Sequence, residues 1–182
     1  MNLTKSIQYS LTFVCLLWLI TLLDFLIPLD FTTLGVYPRS VTGLIGIPLA
    51  VFLHGGFSHV AANTIPLLIL TSTLLMFYSR IALISMFYMI IFSNTIVWVM
   101  GRSAYHVGAS GLVYALATFI IAAGFYHRKP FSIFLALFIG FIYGGLVWGV
   151  VPGLVDWDVS WEGHLAGAVV GVYLAKFYRY KT

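Results

Sequence analysis

The chain has 182 residues, 62% hydrophobic and 8% charged, with a formal net charge of +4. A soluble domain carries roughly 25% charged residues, so the composition excludes one and leaves a single domain, residues 1–182, inside the membrane. The basic residues are scattered, with no basic stripe between aromatics, which excludes nucleic acid as a partner.

The first apolar run, 7–28, follows Lys5 as a signal-peptide core would. No small-x-small cleavage site follows it, and Trp18 and Phe25 stand where one is expected, so it is a retained span. It carries the single cysteine, Cys15, which has no intrachain disulfide partner and is expected as a small buried apolar residue. Next comes "GVYPRSVTGLIGIPLAVFLH". Its Pro and Gly residues argue against one straight helix and its apolarity against a solvated loop; a partly membrane-embedded segment satisfies both. Further runs at 57–78, 81–100, 110–126, 131–150 and 162–178 are long enough to cross a bilayer, for which about 17–25 residues are needed. The expected fold is all-α and polytopic, with six transmembrane helices.

Six spans put both termini on one side. That side holds Lys5, Arg80, Arg128, Lys129, Lys176, Arg179 and Lys181 and no acid. The other holds Arg39 and Arg102 with Asp24, Asp30, Asp156, Asp158 and Glu162. This bias predicts cytoplasmic termini, and Trp98, Trp148, Trp157 and Trp161 fall at the outer ends of spans, as an aromatic belt does.

With that orientation the even-numbered spans begin at the outer face. The second opens "FSHVAANTIP", the fourth "GASGLVYAL" and the sixth "WEGHLAGAVVG". Each has a polar residue in its first turns: His59 and Asn63, Ser110, and His164. Polar groups inside a span are costly and functional by default. At 1.5 Å per residue, Ser110 and His164 lie at compatible depths. Gly163, Gly167 and Gly171 form a doubled small-xxx-small pattern that lets helices meet backbone to backbone. Gly167 and Gly171 share the face of His164, and Gly111 and Ala115 offer the matching spacing on the fourth span.

A serine hydroxyl becomes nucleophilic when a base within hydrogen-bond reach takes its proton. Ser110 is the candidate nucleophile and His164 the base, and later the acid for the leaving amine. No carboxylate sits at this depth to orient the imidazole, so a Ser–His dyad is expected rather than a triad. Tyr114, one turn after Ser110, is placed to stack on the imidazole. The Ser110 N–H at a helix N-terminus, with Asn63 and His59 one turn apart, can supply oxyanion donors. His54 adds polarity or admits water, and Gly108 and Gly111 flank the serine.

The stretches "HGGFSHVAAN", "GASG" and "GHLAGAVVG" resemble those of the rhomboid intramembrane serine proteases, in order and across nearly the whole chain. The resemblance implies a six-helix core whose short, central fourth helix lies beneath a water-filled cavity open to the outside. It implies Ser110 as nucleophile, His164 as base, and His59, Asn63 and the Ser110 N–H as the oxyanion hole. Substrates would be membrane proteins cut in or near a transmembrane helix, with no cofactor and no metal, by an enzyme of the bacterial inner membrane. The chain departs from the family pattern at Gly163, where Ala is usual. Its first loop also lacks the Trp-Arg pair, since Arg39 comes too early. A minimal prokaryotic-type form is expected.

Other classes fit less of the sequence. A membrane metalloprotease needs a pattern such as His-Glu-x-x-His, which is absent. A three-His metal site from His54, His59 and His164 leaves Asn63 and the Ser-Gly pair unexplained. A transporter would show inverted repeats. The remaining rival is a catalytically inactive relative that binds membrane clients, against which the retained Ser110 and His164 speak.

Overall fold

The computed structural model describes residues 1–180; Lys181, counted above among the basic residues of one side, lies outside them. The described residues form seven α-helices joined by 3-10 turns, with no strand beyond one isolated antiparallel bridge between Val36 and His106.

Helix α1 runs over Leu3–Leu26. It starts four residues before the expected run, because the Asn2 side chain caps it by accepting the Lys5 N–H at 2.9 Å. It stops at Leu26 because Pro28 drives the preceding Ile27 into the extended region. One polar seam, Ser6, Ser10, Val14, Leu17 and Thr21, is buried. It packs on α3, Phe57–Phe77, where Ser72 donates to Ser10 and the Trp18 indole donates to Thr64, each at 2.9 Å. In lipid such interhelical hydrogen bonds are worth about 0.6–2 kcal/mol each, since apolar burial supplies no drive between helices there. Cys15 corrects the expectation of a buried thiol. It is exposed, because it falls outside the one seam that α1 buries.

The apolar first loop is broken, as its Pro and Gly content predicts. It forms 3-10 turns at Phe31–Leu34, Thr42–Ile45 and Ala50–Phe52 around a single turn, α2, Gly46–Leu49. Gly43 and Gly46 are required by close approach: a side chain on either would run into the backbone of Tyr37 or of Gly35 and Val36. The loop is anchored to α4, Ala82–Met100. Asn94 donates to the Ile47 carbonyl at 2.8 Å and the Trp98 indole to the Ser40 carbonyl at 2.8 Å. Arg39 donates to the carbonyls of Val99 and Gly101, at 3.3 and 2.8 Å.

Helix α3 spans Phe57–Phe77, α5 Ser110–His127, α6 Pro130–Tyr143 and α7 Trp161–Tyr178. Pro130 at the first position of α6 costs nothing, because its missing N–H has no partner in the first turn. After Tyr143 the fifth run continues as a 3-10 helix, Gly144–Val150. Five segments are long and apolar enough to cross a membrane: α1, α3, α4, α5 and Pro130–Val150. The sixth expected span appears as α7, 18 residues long, but with lower apolarity, since it carries Glu162, His164, Lys176 and three glycines.

Helix α5 is the centre of the fold. Of its span 56% is buried, against 11–39% for the other four. Leu116, Phe119 and Ile120 of α5 join Leu67, Leu70 and Leu74 of α3 and Val170 and Leu174 of α7 in one core. Its closest partner is α7, and the contact is backbone on backbone. A Cβ on Gly167 would collide with the Gly111 carbonyl, and one on Gly171 with the Ala115 carbonyl and the Thr118 hydroxyl. The expected small-residue faces are the ones that meet. Thr118 adds a hydrogen bond across the seam to the Ala168 carbonyl at 3.0 Å.

Candidate active site

The backbone-to-backbone seam sets the first turns of α5 and α7 side by side. Ser110 is the first residue of α5 and His164 lies in the first turn of α7. Their side chains meet: the Ser110 hydroxyl and His164 Nε2 are 2.9 Å apart. The other ring nitrogen, Nδ1, is 2.9 Å from the Gly149 carbonyl oxygen. A carbonyl can only accept, so Nδ1 carries the proton. In the neutral ring Nε2 is therefore bare and accepts the Ser110 O–H. This is the tautomer a general base needs, and a backbone carbonyl imposes it where a triad would use a carboxylate.

The sequence shows no carboxylate to orient the imidazole, and the Gly149 carbonyl takes that place. It arrives there because the end of the fifth run is wound as a 3-10 helix, which rises about 2.0 Å per residue against 1.5 Å for an α-helix. Gly149 also has to be glycine, since a Cβ there would run into the Tyr114 hydroxyl. Tyr114 stacks on the imidazole as expected, with ring centroids 4.2 Å apart and planes 9° from parallel. The His164 ring is thus held on one face by Tyr114, at Nδ1 by Gly149 and at Nε2 by Ser110.

The glycines beside Ser110 have separate reasons. Gly108 adopts φ 113°, a region side chains avoid, and a Cβ on it would stand 2.6 Å from His59 Nε2. Gly111 faces the Gly163 carbonyl across the α5–α7 seam, 3.2 Å from where its Cβ would be. At Gly163 itself an added Cβ would stand 3.0 Å from the Ser160 hydroxyl oxygen and meet no backbone atom.

His59, Asn63, Ser110 and His164 line one cavity of about 670 Å³, together with Arg102, Tyr105, His106, Trp157, Asp158 and Ser160. A single water needs about 15 Å³, so the cavity has room for solvent beside the dyad. Asn63 donates one amide hydrogen to the His59 carbonyl at 3.0 Å, which leaves its second for the cavity. As the first residue of α5, Ser110 has a backbone N–H with no intrahelical acceptor.

His54 sits beside this group in a role the sequence reading did not give it. Its Nε2 accepts the Ala109 N–H at 3.3 Å, fixing the residue before the serine, and its ring meets His59 edge to face at 5.1 Å. Burial, with the His59 ring beside it, pushes its pKa down to about 4, so it stays a neutral acceptor. Of the three histidines His54, His59 and His164, two have a nitrogen committed elsewhere than to a metal: His54 Nε2 to Ala109 and His164 Nε2 to Ser110.

Comparisons with known proteins place the chain in a family. A family model described as the rhomboid domain matches residues 41–181. An uncharacterized protein of Mycobacterium tuberculosis is 36% identical over 141 residues, covering 70% of this chain and 55% of its own length. One of Mycobacterium bovis matches to the same extent. An uncharacterized protein of Mycobacterium leprae is 35% identical over 179 residues, covering 91% of this chain and 68% of its own length. The chain thus spans 55% of the length of the first two relatives. The match over 41–181 takes in the segments that carry His59, Asn63, Ser110 and His164, and with five apolar spanning helices the chain is an integral, multi-pass membrane protein that belongs to the rhomboid family.

Proposed function

We propose that this protein is an intramembrane serine endopeptidase that cleaves membrane proteins in or near a transmembrane helix through a Ser110–His164 dyad. One observation carries the reading: the Ser110 hydroxyl lies 2.9 Å from His164 Nε2 while Nδ1 is committed to the Gly149 carbonyl. In this reaction Ser110 Oγ attacks the scissile carbonyl as its proton passes to Nε2. The carbonyl oxygen becomes an oxyanion, met by the Ser110 N–H, Asn63 and His59. Collapse breaks the C–N bond, and the departing amine takes the proton from Nε2. Water from the cavity then attacks the acyl-enzyme, giving its proton to His164. The new carboxyl group leaves, and Ser110 regains its hydrogen.

The direct test incubates purified protein with single-span substrates and maps the products by mass spectrometry. Cleavage within or beside the apolar segment is the expected result. Intact substrates throughout would give first place to the rival, an inactive relative that binds clients.

Asn63→Ala tests the oxyanion hole. Losing one donor should lower kcat by about 10²-fold while His59, Ser110 and His164 keep their places. An unchanged kcat across several substrates would remove Asn63 from the site.

We also propose six spans, with α7 as the sixth, both termini cytoplasmic and the cavity open to the outer face of a bacterial inner membrane. The face that α7 leaves exposed is apolar, Leu165, Val169, Val172, Tyr173 and Phe177, with Lys176 near its end, while His164, Gly167 and Gly171 are buried. A reporter active only in the periplasm, fused after Thr182, should be silent, and one active only in the cytoplasm should work. The reverse outcome would overturn the charge-based orientation.

A further inference from the structure

Two loops meet above the dyad. One, residues 101–109, leads into α5; the other, residues 151–160, leads into α7. Arg102 ties them broadly: it pairs with Glu162 at 2.9 Å and donates to the Trp157 and Val159 carbonyls at 2.8 and 2.9 Å. His106 ties them at one point. Its Nδ1 is 2.7 Å from the Ser160 hydroxyl and its Nε2 is 3.1 Å from the Arg102 carbonyl.

The spacing of this second contact matters. His106 stands four residues before Ser110, and Ser160 four residues before His164. The His106–Ser160 bond is therefore a second rung across the same two chain segments that the dyad bridges. Ser160 is also the N-cap of α7, accepting the Gly163 N–H at 3.1 Å. Hydrogen placement follows from chemistry. The Arg102 carbonyl can only accept, so Nε2 carries the proton, and the bare Nδ1 takes the Ser160 O–H. Burial also pushes the His106 pKa down, against the bonded Arg102 carbonyl and the Glu162 carboxylate, which raise it, and with the Arg102 guanidinium, which lowers it. The loop segment is fixed from the far side as well, since Val36 and His106 exchange backbone hydrogen bonds at 3.0 and 2.8 Å.

Below the dyad, Gly167 and Gly171 lock α7 to α5. Above it the packing is looser: Ser160, Trp161, Glu162 and Gly163 are only half-buried, and the Gly163 carbonyl facing Gly111 is the close backbone approach there. We propose that His106 is a positioning residue of the dyad, whose hydrogen bond to Ser160 fixes the cap of α7 against the segment that leads into α5 and so holds His164 within reach of Ser110. The inference rests on the protease reading. It assigns a role to a buried histidine that the reaction itself does not use.

Two near-isosteres separate the two bonds of the ring. Asn places a polar atom where Nδ1 lies and can restore the Ser160 contact alone. Gln places one where Nε2 lies and can restore the Arg102 contact alone. The experiment measures kcat and KM on one single-span substrate, and the rate of fluorophosphonate labelling at Ser110, for wild type, His106→Phe, His106→Asn and His106→Gln. His106→Phe should lose about 10- to 100-fold in kcat, the scale of an ångström-sized misplacement of reacting groups. KM should stay within about twofold, because substrate binding is not the function lost. His106→Asn should recover most of kcat and of the labelling rate, and His106→Gln should not. If His106→Phe fails to fold, the Asn–Gln contrast still decides. Equal behaviour of Asn and Gln overturns the inference, as does a rise in KM at unchanged kcat, which would make His106 a substrate contact. Wild-type protein that neither cleaves nor labels overturns the protease reading and this inference with it. Wild-type cleavage with an active His106→Gln overturns the inference alone.

Discussion

Ser110→Ala protein is expected to fold in the membrane, to leave single-span substrates intact and to give no covalent product with a fluorophosphonate probe. The probe presents a phosphorus electrophile that only an activated serine attacks. Activation here means a neutral imidazole with Nε2 bare and 2.9 Å from the hydroxyl, a condition the Gly149 carbonyl imposes from the other side of the ring. His164→Ala should therefore nearly abolish labelling while the serine is still present. Cleavage should fall in both variants by at least about 10⁴-fold, since nucleophile and base act as one unit and removing either costs nearly as much as removing both. Labelling of the wild type should persist in a strong chelator, because no step above uses a metal. It should be blocked by an isocoumarin-type serine reagent, which competes for the same hydroxyl. Wild-type cleavage rates in either variant would sink the dyad. Absence of wild-type labelling, where a control serine hydrolase reacts, would make the contact between Ser110 and His164 structural.

The parts of the site legible in the sequence are those that membrane physics makes conspicuous. A polar side chain in the first turn of an apolar span is expensive, so Ser110, His164, His59 and Asn63 stand out against their surroundings. The same holds for Gly167 and Gly171, whose spacing on the His164 face predicts a close seam that the structure contains. Helix limits lie within one residue of the second to fourth apolar runs, because turn residues or charges bound them. The first run was displaced by four residues at its start because the sequence reading gave Asn2 no weight as a cap.

What stayed hidden is of two kinds. The first is backbone chemistry. Nothing in "GGLVWGV" marks Gly149 as the partner of His164, since its contribution is a carbonyl placed by 3-10 winding. The second is loop chemistry, where polar residues are ordinary and carry no signal. His106, Arg102 and Ser160 looked like loop composition, yet they form the bridge between the two segments that lead into the dyad helices. A histidine four residues ahead of the serine was the one available cue. The first loop shows a related effect. The loop has no adjacent Trp-Arg pair, while Arg39 from the loop and Trp98 from α4 together fasten that loop to the end of α4.

Gly167→Leu should abolish cleavage and lower thermal stability together, because the position has no room for even one added carbon. A Cβ there meets the Gly111 carbonyl oxygen, with the Ala115 nitrogen 3.3 Å away. These are backbone atoms of the helix that carries Ser110, so they cannot swing aside as a side chain would. The helices must separate, and the separation acts one turn below the dyad. An ångström of displacement there costs about 10²-fold in rate, and overpacking of a tight interface costs about 1–3 kcal/mol or more of stability. Gly167→Ala, with only the Cβ added, should show the same two losses in smaller measure. Val169→Leu is the control: it enlarges a side chain on the same helix where the surface is open, 54% exposed. It should match wild type in both rate and melting temperature. Full activity in Gly167→Leu would mean that the backbone contact between α5 and α7 is not what sets Ser110 and His164 together, and the geometric basis for the dyad would go with it.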